Sequence, residues 1–198
     1  MPVEELVPRL AEIPGYRSMF ERAYPGEGIT KATVAKAIAT FQRTVVSGVA
    51  PFDEWIAGRE DAISDGAKRG FVLFNGTARC SICHSGWNFT DGSFHDIGVP
   101  SADPGRGKLL PQIQRMQHAF KVPTLRNVDH RAPYMHNGSV PTLPAVIDLY
   151  ASGGVARPSR SAEIQPLRLT AGEKADLVEF LKTLTSVDPA LPLPVLPR

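Results

Sequence analysis

One five-residue motif constrains this chain more than any other feature. The segment Cys80–His84 has the sequence C-S-I-C-H and holds both cysteines of the 198-residue chain. C-x-x-C-H is the attachment signature of c-type haem. Each cysteine can add to a haem vinyl group, and the adjacent histidine can reach the iron from the proximal side. The motif predicts one covalent haem c, attached through Cys80 and Cys83, with His84 as the proximal iron ligand.

Two other kinds of site use the same residue types. A zinc site needs a second pair of nitrogen or sulfur ligands, and no cysteine outside the motif is left to supply one. A redox C-x-x-C of the thioredoxin kind lies in a βαβ context, which this sequence lacks. Haem attachment is therefore the stronger interpretation. Since both cysteines lie in one motif, the chain offers no disulfide framework from which a redox compartment can be inferred.

Capping residues and apolar periodicity predict helices on both sides of the motif. Thr30 is placed to cap a helix that Gly48 would end. Ser64 begins a second helix, in which Gly70 would allow a neighbour to pack closely, and this helix leads directly into the motif. Thr170 opens a capping box for the last helix. The apolar face of the Thr30 helix recurs at helical spacing and consists of Val34, Ile38, Phe41 and Val45.

The segment 85–141 shows no convincing period and is rich in turn residues. A structureless segment of that length is uncommon unless it has a function, and here it would wrap the haem. We predict an all-α fold, a cytochrome c-like domain with long haem-wrapping loops. Residues 1–60 are expected to form a helical extension that packs on the haem domain, 61–188 the cytochrome c-type haem domain, and 189–198 an extended Pro-rich tail.

Charge and hydropathy exclude several classes of partner. The net charge of +2 is too small to indicate binding to nucleic acid or to an acidic membrane surface. No stretch approaches the roughly 20 apolar residues of a membrane helix. The first residues lack the basic and apolar regions of a secretory signal peptide. Since c-type haem is normally attached outside the cytoplasm, we expect a periplasmic protein whose signal was removed or whose chain is part of something longer.

The residues alone leave the sixth iron ligand open. Met135 and Tyr150 both follow the motif, and Tyr150 lies on an apolar helix face before Gly153. A tyrosine or methionine on such a face usually belongs to the core. The histidines that are also chemically suitable are His95, His118, His130 and His136.

Several motifs, taken in order, resemble those of bacterial dihaem cytochrome c peroxidases and their MauG relatives. They are Ile13–Tyr16, Phe41–Asp53, Cys80–His84, Phe89–Val99, Lys121–Val128, Ala132–Gly138 and Leu169–Thr185. The resemblance covers nearly the whole chain but only the C-terminal half of that family, whose members carry two haems. It implies an electron-transfer haem domain that relays electrons to a peroxide-reacting haem in a missing N-terminal half. A stand-alone monohaem electron carrier is the alternative, because the chain has a single C-x-x-C-H.

The resemblance also implies partners and further site residues. The partners are the peroxidatic haem domain and a small redox protein that donates or accepts electrons. In the peroxidases a methionine ligand occupies the position of Tyr150, and the MauG branch has tyrosine there, so Tyr150 is expected as the distal iron ligand, with Met135 as the alternative. A phenolate is a hard anion that favours the higher oxidation states of iron. The family's interdomain calcium ion implies that backbone carbonyls near Lys121–Pro123 supply part of such a site.

Two residues are expected near the haem on their chemistry. Trp87 follows the motif by three residues and is expected as a wall of the haem pocket or as an electron relay. Arg126 is expected either to pair with a haem propionate through its two-pronged guanidinium or to lie solvated in a loop. No catalytic residue can be assigned from the sequence.

Overall fold

The computed structural model describes residues 2–188 and 194–197. The chain forms two compact units, one of Met1–Val46 with Asp188–Arg198 and the other of Ser47–Val187. Most of the Pro-rich tail, predicted to be extended, lies outside the described residues, and 194–197 have no regular structure. Among the described residues, no helix combines the length and apolar character that crossing a membrane would require.

The first unit contains three helices: α1 (Val3–Ala11), α2 (Pro14–Ala23) and α3 (Lys31–Thr44). The prediction that Thr30 caps α3 is confirmed, because its hydroxyl accepts a hydrogen bond from the Thr33 amide at 3.1 Å. The predicted end at Gly48 is wrong, since α3 stops at Thr44. Two β-branched valines follow immediately, and such residues lose side-chain freedom in a helix.

The apolar face of α3 is mostly uncovered. Val34 is buried, but Ile38 and Phe41 on the same face are 53% and 61% exposed, and Val45, which directly follows the helix, is 60% exposed. An amphipathic helix normally turns this stripe toward a core. The apolar side of α3 therefore stays largely exposed to solvent among the described residues.

The second unit is built on four helices: α4 (Pro51–Ile56), α5 (Asp65–Asn75), α6 (Leu143–Ser152) and α7 (Ala171–Lys182). The predicted caps of α5 and α7 are confirmed. The Ser64 hydroxyl accepts from the Ala67 amide at 3.0 Å, and Thr170 and Glu173 form a reciprocal capping box. Helix α6 ends at Gly153, which adopts the left-handed conformation with φ of 81°.

Close packing of α5 against α7 forms the centre of this unit. The two backbones approach so closely at Gly70 that a Cβ there would collide with the carbonyl group of Asp176 and with Cβ of Phe180. The expectation that Gly70 permits close packing is therefore confirmed. Four phenylalanines then fill the core with ring centroids 5.0 to 6.1 Å apart: Phe52, Phe74, Phe89 and Phe180.

The segment 85–141 is largely irregular, as predicted, but it contains a small antiparallel sheet. Strand β1 (Phe94–His95) pairs with β2 (Phe120–Lys121). The all-α prediction is corrected by this sheet. Strands of two residues are too short to produce the alternation of four to eight residues by which a strand is recognised in a sequence.

Candidate haem-binding site

The motif itself adopts a single helical turn after α5. Cys80–Ile82 forms a 3₁₀ turn, and the His84 amide donates to the Cys80 carbonyl at 2.9 Å. Residues at positions i, i+3 and i+4 of a helical turn lie on the same side. Cys80, Cys83 and His84 consequently line one cavity together.

This cavity has a volume of about 460 Å³ and lies between the motif, α6, α7 and the irregular segment, a size within the usual range for ligand and cofactor sites. Its walls are mainly apolar. The apolar side chains that line it include Phe74, Val99, Val122, Leu125, Val128, Leu143, Ile147, Leu177 and Leu181. Helix α7 serves both the cavity and the core, because Leu177 and Leu181 line the cavity and Phe180 packs in the core.

His84 is oriented with one ring nitrogen bonded and one available. Its Nδ1 lies 2.9 Å from the carbonyl oxygen of Phe89. A carbonyl oxygen only accepts, so Nδ1 carries the hydrogen and Nε2 keeps its lone pair. Burial lowers the pKa of His84, against the opposing effects of the Phe89 carbonyl, the Asp91 carboxylate and the Pro123 carbonyl. The imidazole is therefore neutral near pH 7, the form that ligates metals.

The two thiols of the motif are harder to deprotonate than an ordinary cysteine. Burial raises the pKa of Cys80 to about 12 and also raises that of Cys83. Reactive C-x-x-C pairs and zinc sites need thiolates at neutral pH. These two thiols are protonated at that pH, which disfavours a reactive redox pair.

Tyr150 and Met135 both line the cavity. Tyr150 lies in the last turn of α6, and no described residue hydrogen-bonds to its hydroxyl. Burial, with a smaller effect of the two cysteines, raises the pKa of Tyr150 above its ordinary value. The hydroxyl is thus available to a ligand bound in the cavity. Met135 lies in a loop with φ of 70°, and its thioether needs no partner.

Of the four candidate histidines, three line the cavity and one, His130, does not. Each of the three has contacts of its own. The His95 ring Nε2 lies 2.7 Å from the Ser93 hydroxyl, His118 Nδ1 lies 2.8 Å from the Asp103 carbonyl, and His136 stacks on Phe120 at 3.6 Å.

Trp87 and Arg126 are absent from the described lining of the cavity. The indole of Trp87 is 72% exposed. Arg126 is buried, but it donates to both carboxylate oxygens of Asp53 at 2.7 and 2.8 Å rather than facing the cavity. The structure thus gives Arg126 a different anionic partner from the expected propionate. The lysine and arginine side chains that do line the cavity are Arg79, Lys121 and Arg131. Arg79 is paired with Glu163, and no sequence motif distinguished the other two from other loop cations.

The Lys121–Pro123 segment, from which calcium ligands were expected, has one carbonyl already in use. The Val122 carbonyl accepts from the Thr90 hydroxyl at 2.7 Å and from the Lys121 ammonium at 3.2 Å. Calcium binding stays a prediction.

Comparison with known proteins decides the family. A family model described as di-haem cytochrome c peroxidase matches residues 1–61, and one described as RoxA-like, cytochrome c-like matches 119–152. The methylamine utilization protein MauG of Methylorubrum extorquens is 49% identical over the whole chain, which covers 57% of that relative. MauG of Methylophilus methylotrophus is 47% identical over 98% of the chain, covering 58% of the relative. The chain belongs to the dihaem cytochrome c peroxidase and MauG family.

A solved structure agrees with this family. The crystal structure of a MauG-like protein associated with microbial copper homeostasis matches with a TM-score of 0.78 at 33% identity, covering 93% of this chain and 62% of that one. Members of the dihaem cytochrome c peroxidase and MauG family bind haem c, and the family includes dihaem enzymes. The chain spans less than two thirds of the length of each of these relatives.

Proposed function

We propose that this chain is the electron-transfer c-type haem domain of a dihaem cytochrome c peroxidase or MauG-like oxidase. In this role it relays electrons to a peroxide-reacting haem in a domain outside this chain. The observation that carries the proposal is the cavity in which both cysteines, the available Nε2 of His84 and the unpaired hydroxyl of Tyr150 lie together. These donors and the apolar walls fit one haem c.

Each of these groups then has a defined task. Cys80 and Cys83 would attach the haem, and His84 Nε2 and the Tyr150 oxygen would bind its iron. When bound, the haem supplies a one-electron couple. Tyr150 would bind as a phenolate, because ferric iron lowers the phenol pKa that burial raises. A hard anionic ligand of this kind favours the ferric state. Lys121 and Arg131 supply positive charge for the propionates.

A relay domain needs a partner domain to receive its electrons. Two observations support the existence of such a partner. The chain covers only 57% of the MauG relative from Methylorubrum extorquens. In addition, Ile38 and Phe41 leave the apolar face of α3 exposed, and contiguous exposed apolar surface commonly marks an interaction site. The single C-x-x-C-H favours the alternative, a stand-alone carrier. A second C-x-x-C-H encoded upstream in the same reading frame would decide for the relay.

Ligation by Tyr150 is tested by spectroscopy of the haem-loaded chain. Tyr150→Phe should change the ferric absorption and EPR spectra and raise the midpoint potential, because it removes an anionic ligand. Met135→Leu, its matched control in the same cavity, should change neither. If Met135→Leu alters the spectra and Tyr150→Phe does not, the sixth ligand is Met135. Cys80→Ala combined with Cys83→Ala should make the haem extractable by acid acetone, and retention of covalent haem would refute the attachment site.

The relay role is tested by steady-state turnover of hydrogen peroxide with a reduced donor. Because His84 and Tyr150 would both be bound to the iron, the isolated chain should turn peroxide over poorly. It should nevertheless accept and release electrons reversibly. Turnover at the rate of a complete dihaem enzyme would contradict a role limited to electron relay.

A further inference from the structure

The turn that follows the motif determines the hydrogen bond that orients His84. This turn comprises residues 85–89, hereafter the 85–89 turn. Its ends are closed by hydrogen bonds from the Phe89 amide to the Gly86 carbonyl at 3.1 Å and from the Thr90 amide to the Ser85 carbonyl at 2.9 Å. Phe89, whose carbonyl accepts from His84 Nδ1, has a left-handed φ of 50°. A non-glycine residue keeps that conformation only where its surroundings hold it.

Arg126 contacts this turn in two ways. Its Nε and Nη2 both donate to the carbonyl of Trp87, at 2.9 and 2.7 Å. Its guanidinium also lies over the Phe89 ring, 5.3 Å from the centroid. The same side chain therefore fixes the backbone two residues before the Phe89 carbonyl and the ring of Phe89 itself.

Asp53 in α4 fixes the other side of Arg126. The guanidinium meets the carboxylate in a two-pronged pair, and the Asp53 carboxylate also accepts from the Ala50 amide at 2.9 Å. Burial alone would raise the pKa of Asp53, but the bonds from Arg126 and Ala50 outweigh it and lower the pKa. Arg126 is itself 8% exposed. A buried, doubly bonded arginine of this kind is geometrically defined rather than mobile.

We propose that Arg126 is a positioning residue for the proximal ligand. The Asp53–Arg126 pair fixes the 85–89 turn, and thereby the Phe89 carbonyl that orients His84 and strengthens it as an iron donor. Outer partners of a metal-ligating histidine set its tautomer and its basicity. The proposal rests on the proposed haem site, but it assigns Arg126 a role in tuning that site from outside the cavity.

The test compares two arginine variants of the haem-loaded chain. Arg126→Lys keeps the charge, but its three N–H donors cannot reproduce the four hydrogen bonds that Arg126 makes to Asp53 and Trp87. A weaker bond from His84 Nδ1 makes the ligand less basic, so the midpoint potential should rise. We expect the ferrous-to-ferric ratio at fixed potential to increase, by less than about ten-fold or about 59 mV for one electron. Arg126→Lys only loosens the Phe89 carbonyl, whereas outright loss of an outer partner costs a metal site about ten-fold or more in affinity. The ferric EPR g values should shift as well.

Arg69→Lys is the matched control. Arg69 also forms a two-pronged pair, with Asp176 at 2.8 and 2.7 Å, but it joins α5 to α7 without touching the 85–89 turn. Its replacement should leave the potential and the EPR spectrum unchanged. Equal potentials in wild type and Arg126→Lys would overturn the proposal and leave Arg126 a merely structural residue.

Asp53→Asn covers the case in which Arg126→Lys does not fold. It leaves Arg126 bonded to Trp87 but removes the charged anchor, so a smaller rise in potential is expected. Loss of stability with an unchanged potential would overturn the proposal here too. A pyridine haemochrome spectrum of the wild type distinguishes failure of the proposed function from failure of this inference. Absence of covalent haem in the wild type would refute the proposed function along with this inference, whereas haem with unresponsive potentials refutes the inference alone.

Discussion

The contact between α5 and α7 gives a prediction whose sign is not obvious from residue type. Alanine is the better helix former, so Gly70→Ala should gain about 0.5–1 kcal/mol from propensity. The added methyl group would, however, meet the Asp176 carbonyl and the Phe180 Cβ. Neither atom can rotate away, so we take the upper part of the usual overpacking cost, about 3 kcal/mol. The net result is a loss of about 2 kcal/mol in the free energy of unfolding.

Urea unfolding of the haem-loaded chain, followed by far-ultraviolet circular dichroism, measures this loss. For a chain of this size the melting temperature should fall by about 6 °C. Gly172→Ala in α7 is the matched control, since the nearest atom to a Cβ there is 4.0 Å away. That variant should be neutral or more stable, by up to about 1 kcal/mol. If Gly70→Ala is as stable as the wild type, the backbones are not held together as closely as described, and the reasoning fails.

Two further predictions concern a buried ion pair and an exposed indole. Asp96 is 1% exposed and bonded twice to Arg157, so Asp96→Asn should cost about 3 kcal/mol at pH 7 by leaving Arg157 without its counter-charge. Burial would raise the pKa of Asp96, but the hydrogen bonds from Arg157, Ser159 and the Gly98 amide outweigh it and lower the pKa. The stability that ionised Asp96 contributes is therefore fully present above the unfolded pKa of about 3.9 and is lost as pH falls through the lower folded pKa. The stability gap between wild type and variant should shrink below that pH, and a gap that is constant down to pH 2 would contradict this account. Trp87→Phe should leave the ferric spectrum unchanged and alter stability by less than about 0.5 kcal/mol, because the indole is solvent-exposed; a shifted Soret band would show instead that the indole contacts the haem.

The sequence was sufficient wherever the signal is local. Ser64 and Thr170 begin helices because a side-chain oxygen within three residues satisfies a free amide, and Gly70 was correctly expected at a close contact. The motif predicted that both cysteines and His84 act on one haem, and the structure places all three on one cavity. The register of Tyr150 came from the family resemblance, since periodicity alone would have assigned it to the core.

Sequence reasoning failed where the determinant is a distant residue or a backbone atom. Arg126 was expected either to pair with a propionate or to lie solvated in a loop, because nothing local marks Asp53, 73 residues away, as its partner. The acceptor for His84 is a main-chain carbonyl at a left-handed phenylalanine, a conformation that no residue preference predicts. The sheet between β1 and β2 has no periodic signature for the same reason, because pairing over two residues depends on how the long segment is folded back.

The pairing of α5 with α7 also has a consequence for how the protein matures. Arg69 and Asp176, which join the two helices, are 107 residues apart in the chain. Contacts of such large sequence separation form late, because the intervening chain must first be brought into place. The helix that closes the core over the motif is also synthesised after it. Cys80 and Cys83 thus follow a helix whose packing partner lies later in the chain. If the proposed attachment occurs, it would find both thiols accessible before α7 docks on α5.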